Sequence, residues 1–157
     1  MVVYKTASAQ ETKEFGRALA IKFIRERAHP KNALAFALSG DLGSGKTTFV
    51  QGFLRGLGVR GSITSPTFVL MKKFAIRVNP RFNRRKSAFA YHIDCYRIKK
   101  SGELTKLGLK EILNNPQNIV LIEWAEKIKE VLPRKTIRLK FEHGKKENQR
   151  AIRIKDR

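Results

Sequence analysis

The spacing of apolar residues changes several times along this chain, and the changes predict alternating strands and helices. Between residues 8 and 28, apolar positions recur at three- and four-residue intervals, and Ser8 and Glu11 have the spacing of a helix-capping box. Residues 33–39 are almost entirely apolar, which is typical of a strand covered on both faces. The same reasoning predicts strands at 2–6, 69–78, 87–98, 118–124, 136–141 and 151–155, and helices at 46–57, 102–113 and 125–132.

This order of elements indicates an α/β fold. We expect a central mixed, mainly parallel sheet with helices on both faces and antiparallel hairpins at its edges. The chain has 157 residues and shows neither an internal repeat nor a dividing linker, so it is expected to form a single domain over 1–157. Within this domain, a basic hairpin is expected at 72–90.

The charge balance is strongly positive and indicates a polyanionic partner. Lys and Arg number 34 against 13 Asp and Glu, which gives a formal net charge of +21. Such a balance suits nucleic acid, nucleotide phosphates, an acidic protein or a membrane surface. The excess is concentrated at 72–100 and 129–157, the two stretches that contain the expected hairpins. The alternative is that these cations form only a solvated surface.

Several other classes of protein are disfavoured. The single cysteine, Cys95, excludes an intrachain disulfide framework and a cysteine-rich zinc site, and we expect it to be a small buried residue. No apolar run approaches the roughly 18 residues needed to span a bilayer, and the first residues lack the pattern of a signal peptide. The protein is therefore expected to be cytoplasmic, with no membrane contact.

The segment that carries recognisable chemistry lies between the 33–39 strand and the 46–57 helix. Its sequence, GDLGSGKT at 40–47, fits the phosphate-binding pattern G-x-x-x-x-G-K-[ST] in the required strand–loop–helix context. Its glycines let successive backbone amides point at phosphate oxygens, at the positive end of the helix. Lys46 should reach the β- and γ-phosphates and Thr47 should bind Mg²⁺. The predicted nucleotide contacts are Asp41, Leu42, Gly43, Ser44, Gly45, Lys46, Thr47 and Thr48.

A nucleotide hydrolase also needs a carboxylate near the metal, and two apolar strands end in one. Asp94 follows FAYHI at 89–93, and Glu123 follows IVLI at 119–122. Because side chains alternate along a strand, His92, Asp94 and Tyr96 should share one face. The alternative for Asp94 is that it caps a turn or pairs with an arginine, and a structural hydrogen bond is at least as good an interpretation of His92 as proton transfer. The guanine-specificity signature N-K-x-D is absent, which favours ATP.

Five stretches together resemble the TsaE (YjeE) family, the ATPase component of the bacterial system that makes threonylcarbamoyladenosine in tRNA. They are GDLGSGKTTF at 40–49, TSPTF at 64–68, HIDCYR at 92–97, LGL at 107–109 and IEW at 122–124. The resemblance covers residues 8–154. It implies a P-loop domain that binds ATP and Mg²⁺ and hydrolyses ATP weakly, acting with the partner proteins TsaD and TsaB to reset the complex between rounds.

By motif, the resemblance also implies roles for particular residues. Thr47 and Glu123 would hold the metal, and Asp94, with Lys46, would be catalytic. Residues 65–68 would form a loop whose order depends on the nucleotide, and the adenine would lie near Ala9 to Thr12. The basic hairpins are candidates for direct tRNA contact. Two rival functions stay open: a P-loop kinase for a small molecule or nucleotide, and an RNA-binding module switched by a nucleotide.

Overall fold

A computed structural model describes residues 2–26, 31–76 and 88–155. Seven strands form one sheet in the order β1-β7-β6-β2-β5-β4-β3. The strands are β1 Val2–Thr6, β2 Leu34–Ser39, β3 Met71–Ile76, β4 Ala88–Asp94, β5 Ile119–Glu123, β6 Ile137–His143 and β7 Arg150–Lys155. The helices are α1 Ala9–Glu26, α2 Lys46–Gly56, α3 Gly102–Lys106 and α4 Leu109–Asn114, followed by a 3₁₀ segment, Ala125–Val131.

The centre of the sheet is parallel and its edges are antiparallel. Strand β2 pairs in parallel with both β5 and β6, and β5 pairs in parallel with β4. At one edge β3 runs antiparallel to β4, and at the other β7 runs antiparallel to both β6 and β1. The α/β fold predicted from the sequence, with a mixed sheet and antiparallel edges, is therefore confirmed.

Helices cover both faces of the central strands, as predicted. Alternate residues of β2 point to opposite sides, so Phe36 and Leu38 join one apolar core while Ala35 and Ala37 join another. The first core includes side chains of α1 and α2, and the second includes those of α3, α4 and the 3₁₀ segment. This burial on two sides explains why β2 and β5 consist almost wholly of apolar residues.

Helices α1 and α2 pack closely because glycines lie between them. A Cβ atom on Gly52 would lie 2.0 Å from the carbonyl oxygen of Lys13, and one on Gly16 would lie 2.4 Å from that of Phe49. Neither position has room for a side chain. The contact fixes α2, which begins at the phosphate-binding loop, against the first turns of α1.

Two of the predicted helices differ from the structure. The single helix expected over 102–113 is wrong: two short helices meet at Gly108, whose φ of 78° is left-handed and ends the first helix. The helix expected over 125–132 is a 3₁₀ segment with non-helical torsions at Ile128. Strands β3 and β4 pair antiparallel, and the basic turn of the hairpin predicted at 72–90 lies outside the described residues. Within the described ranges, no helix is both long enough and apolar enough to cross a membrane.

Candidate functional site

The loop at 40–45 leaves the carboxyl end of β2 and enters α2 at Lys46. Gly40 has a φ of 136°, and a Cβ atom there would lie 2.2 Å from the carbonyl oxygen of Phe141 on neighbouring β6. Gly45 precedes the helix with a φ of 98°. Both positions need glycine, because an L side chain is strained at such torsions. The loop therefore lies at the amino end of α2, where a helix favours anions.

Lys46 is buried inside this loop and is held by neutral oxygen atoms. Its ammonium group donates to the carbonyl oxygens of Gly40 at 2.6 Å and Asp41 at 2.8 Å, and to the Ser44 hydroxyl at 3.4 Å. Burial lowers the pKa of Lys46, although nearby carboxylates, Glu123 foremost, oppose the change. None of the ion pairs found among the described residues involves Lys46. A buried cation without a paired carboxylate is suited to bind an anion.

Glu123 ends β5 beside the first turn of α2. The Thr47 hydroxyl donates to Glu123, with 2.9 Å to each carboxylate oxygen. On the other side, Nε2 of the buried His92 lies 2.8 Å from Glu123 Oε1. Because a carboxylate only accepts hydrogen bonds, His92 donates through Nε2. His92 thus has the structural hydrogen bond that the sequence suggested as one interpretation, and it orients Glu123 toward Thr47.

Asp94 lies at the matching position of the next strand, paired in register with Glu123. Its Oδ2 accepts hydrogen bonds from the hydroxyls of Thr67 at 2.7 Å and Ser65 at 3.3 Å. Its Oδ1 accepts the backbone N–H of Tyr96 at 2.8 Å, so Asp94 does cap a turn, as the alternative interpretation held. Strand β4 ends at Asp94, and Tyr96 therefore lies in the following turn instead of sharing a strand face with His92 and Asp94.

These groups line one cleft of about 360 Å³. Most of the predicted nucleotide contacts lie in its wall: Leu42, Gly43, Ser44, Gly45, Lys46, Thr47, Thr48, Ala9 and Thr12, together with both predicted carboxylates, Asp94 and Glu123. The remaining predicted contact, Asp41, does not line the cleft. It is exposed, and its carbonyl oxygen accepts a hydrogen bond from the Lys46 ammonium. The cleft also includes Ser65 and Thr67 of the expected nucleotide-dependent loop.

Two residues of the wall were missed by sequence reasoning. Asn148 and Arg150 come from the connection between β6 and β7 and the start of β7, about a hundred residues after the phosphate-binding loop. The Arg150 side chain lies 3.6 Å from the Cβ position at Gly45. No local motif marks these residues, because only the antiparallel return of β7 brings them to the cleft.

Comparison with known proteins agrees with this geometry. The family model described as "Threonylcarbamoyl adenosine biosynthesis protein TsaE" matches residues 6–152. The chain belongs to the TsaE family. That family serves tRNA threonylcarbamoyladenosine biosynthesis.

Named relatives span most of the chain. The TsaE protein of Bacillus subtilis is 35% identical to this chain, over 87% of this chain and 74% of the relative. The TsaE protein of Haemophilus influenzae is 33% identical, over 82% of this chain and 74% of the relative. The Rickettsia bellii protein is 39% identical over 80% of this chain and 76% of its own. A crystal structure of Bacillus subtilis YdiB superposes with a TM-score of 0.65 and 28% identity, covering 96% of this chain and 82% of that one.

In this TsaE-family chain, an aromatic residue follows the second carboxylate and completes the cleft. Trp124 has a left-handed φ of 56°, which is uncommon for a bulky residue and indicates a position held by its surroundings. The Lys46 ammonium lies 4.0 Å from the centre of the Trp124 ring. The centres of the Tyr96 and Trp124 rings are 5.0 Å apart. Trp124 is thus in direct contact with the cation most suited to bind phosphate.

Proposed function

We propose that this protein is the Mg²⁺-dependent ATP-binding and ATP-hydrolysing component of the tRNA threonylcarbamoyladenosine system. It acts in the cytoplasm with TsaD and TsaB and permits repeated turnover of their complex. The observation that carries the proposal is the convergence of Thr47, Glu123 and Asp94 beside the phosphate-binding loop. Parallel α/β sheets bind ligands at the carboxyl ends of their strands, which is where these groups lie.

The residues present fit a nucleotide with its metal. The loop at 40–45 and the amino end of α2 offer backbone amides, and buried Lys46 supplies the positive charge for the phosphates. Ala9 and Thr12, at the start of α1, are the candidates for the adenine side of the cleft. Thr47 and Glu123, which lie within hydrogen-bond distance of each other, would supply two oxygen ligands for Mg²⁺, an ion that usually takes its other ligands from phosphates and water. When bound, Mg²⁺ neutralises charge on the phosphate oxygens.

Asp94 is the candidate that positions the attacking water. Oxygen from water forms the new bond to the γ-phosphorus, the bond to the ADP oxygen breaks, and the proton passes to the released phosphate. In the structure, Asp94 Oδ2 is taken by the hydroxyls of Ser65 and Thr67. Asp94 is therefore not free to bind a water on that side until residues 65–67 move. We therefore expect the isolated protein to hydrolyse ATP only weakly.

The segment that holds Asp94 also offers a contact for a partner. Phe68 is 83% exposed and follows Thr67 directly, and the Arg97 guanidinium stacks on its ring at 4.6 Å. A partner that covers Phe68 would displace the neighbouring hydroxyls from Asp94. We therefore propose that TsaD and TsaB stimulate hydrolysis by releasing Asp94 from the 65–67 segment.

The proposal is tested by comparing two variants in phosphate release with TsaD and TsaB. Asp94→Asn keeps the shape of the side chain, and we expect it to bind ATP yet lose most turnover, a fall of about 100-fold or more. Lys46→Ala should lose binding as well as turnover. Equal loss of ATP binding in both variants would make Asp94 a structural residue and contradict the proposal. ADP formed in excess of free phosphate would indicate transfer to an acceptor, the kinase alternative.

A further inference from the structure

The β6–β7–β1 end of the sheet carries a surface that the nucleotide cleft does not use. On the side facing away from α1, five cations lie on neighbouring strands: Arg138 and Lys140 of β6, Arg153 and Lys155 of β7, and Lys5 of β1. The same surface includes one carboxylate, Glu142, and two small apolar residues, Val3 and Ala151. We call this surface the basic face. Strand alternation places all of these side chains on the same side, because paired residues share a face.

No helix of the described chain covers the basic face. The apolar core on this side of the sheet contains residues of β2, β4 and β5, and none of β1, β6 or β7. The Lys140 side chain is 62% exposed and that of Arg153 is 39% exposed. The opposite sides of the same strands are buried, with Leu139, Phe141 and Ile152 in the other core. The strands are thus amphipathic, and their outer side is free to bind a partner.

Cations of the basic face lie opposite one another on β6 and β7, and their repulsion destabilises the sheet. Arg138 is directly opposite Lys155, and Lys140 is directly opposite Arg153. Like charges at directly opposed positions of neighbouring strands destabilise a sheet. Glu142 relieves part of the repulsion by accepting from Arg153 at 2.8 Å and Lys140 at 3.0 Å, while Arg138 and Lys155 have no such carboxylate among the described residues. Folding alone gives no reason for two opposed cation pairs.

The composition of the face favours a phosphate backbone over an acidic protein surface. Protein interfaces bury an apolar or aromatic centre from which charged residues are depleted, whereas this face has cations at its centre and no aromatic side chain. Contacts to nucleic acids are dominated by Lys and Arg on phosphate oxygens, and such contacts position the ligand without reading its sequence. Double-stranded RNA in particular is bound by its shape and its backbone.

We propose that the basic face binds the phosphate backbone of tRNA. The proposal rests on the role in tRNA modification given above, and it adds an RNA-contacting surface separate from the ATP cleft. Arg150 of β7 lines the cleft, and it lies three positions before Arg153. Because this separation is odd, the two side chains belong to opposite sides of the sheet. Substitutions on the basic face therefore leave the nucleotide machinery in place.

The test measures binding of unmodified tRNA to the isolated protein by fluorescence anisotropy over a series of salt concentrations. The test variant replaces Arg138, Lys140, Arg153 and Lys155 by Gln. A matched control replaces four exposed lysines elsewhere, Lys22, Lys106, Lys110 and Lys129, by Gln and so makes the same change in net charge. If each cation meets one phosphate, the slope of log affinity against log salt should fall by about 3–4 in the test variant. The control should lose less than half as much.

A second variant, Arg138→Gln with Lys155→Gln, keeps both ion pairs of Glu142 and should show about half the change in slope. It should unfold at the same or a higher temperature than the wild type, because one opposed cation pair is gone. The proposal is overturned if the wild type does not bind tRNA at low salt, or if test and control variants lose the same affinity. It is also overturned if the test variant binds tRNA normally but no longer assembles with TsaD and TsaB, which would assign the face to an acidic protein. Nucleotide binding, followed separately through Trp124 fluorescence, shows whether the proposed ATP site fails instead.

Discussion

The close packing of α1 on α2 gives the sharpest stability prediction, through Gly52→Ala. An added Cβ would lie 2.0 Å from the Lys13 carbonyl oxygen and 2.6 Å from its carbon and Cα. An ordinary contact needs about 3.4 Å, so α1 must move away from α2 by more than 1 Å. The atoms in conflict belong to the backbone of a helix, which cannot turn aside as a side chain can. The whole contact between the two helices is therefore disturbed.

The size of the effect follows from two opposing contributions. Overpacking of this kind costs about 1–3 kcal/mol, and alanine in a helix interior recovers roughly 0.5–1 kcal/mol relative to glycine. We expect Gly52→Ala to lower the free energy of unfolding by about 1–2 kcal/mol. In a chain of this size, each kcal/mol corresponds to a fall in Tm of roughly 2–4 °C. Because α1 also supplies Ala9 and Thr12 to the cleft, nucleotide binding should weaken as well.

Urea unfolding of Gly52→Ala beside Gly102→Ala provides the assay. Gly102 begins α3, and a Cβ there meets no atom within 4 Å, so this control should stay within about 0.5 kcal/mol of the wild type. If both variants unfold at the wild-type urea concentration, the helices do not make the close approach described here, and the reasoning fails.

Three further predictions concern the site and its surroundings. Burial, and to a lesser extent the negative charge of Asp94, raises the pKa of the Cys95 thiol to about 12. Iodoacetamide at pH 8 should therefore label Cys95 only after unfolding, and rapid labelling of the folded protein would contradict its burial. His92→Leu removes a donor from Glu123 and should raise the Mg²⁺ concentration needed for turnover about 10–100-fold, whereas an unchanged Mg²⁺ dependence would refute its positioning role. Phe68→Ala should bind ATP normally in isolation but respond several-fold less to TsaD and TsaB; a full response would separate Phe68 from the partner contact.

Local chemistry made several features predictable from the sequence. The limits of α2 follow from the glycine loop before it and from Gly58 after it, which has a φ of 80°. The N–H groups of Gly58 and Val59 bond to the carbonyl oxygens of Arg55 and Leu54 and close the helix. Ser8 likewise accepts the N–H of Glu11 at the start of α1. In each case the residues that decide the structure lie within a few positions of one another.

Features that depend on the order of the strands in the sheet were harder to predict from the sequence. Strand β4 lies beside β5, with Asp94 in register with Glu123. This arrangement follows from the packing of the whole sheet and not from either strand alone. The same holds for Arg150, which the antiparallel return of β7 brings to the cleft. The break at Gly108 was missed because the apolar spacing continues across it, while only the backbone torsion shows that the helix ends.

The central claim is that the loop before α2 binds ATP phosphates through Lys46, and Trp124 reports on it directly. The Lys46 ammonium lies 4.0 Å from the Trp124 ring, so any change in its partners alters the surroundings of the indole. Trp124 is the only tryptophan, which makes its fluorescence a clean signal in a titration with ATP and Mg²⁺. We predict a saturable change in the wild type that is largely lost in Lys46→Ala. A wild-type response and affinity in Lys46→Ala would contradict the claim.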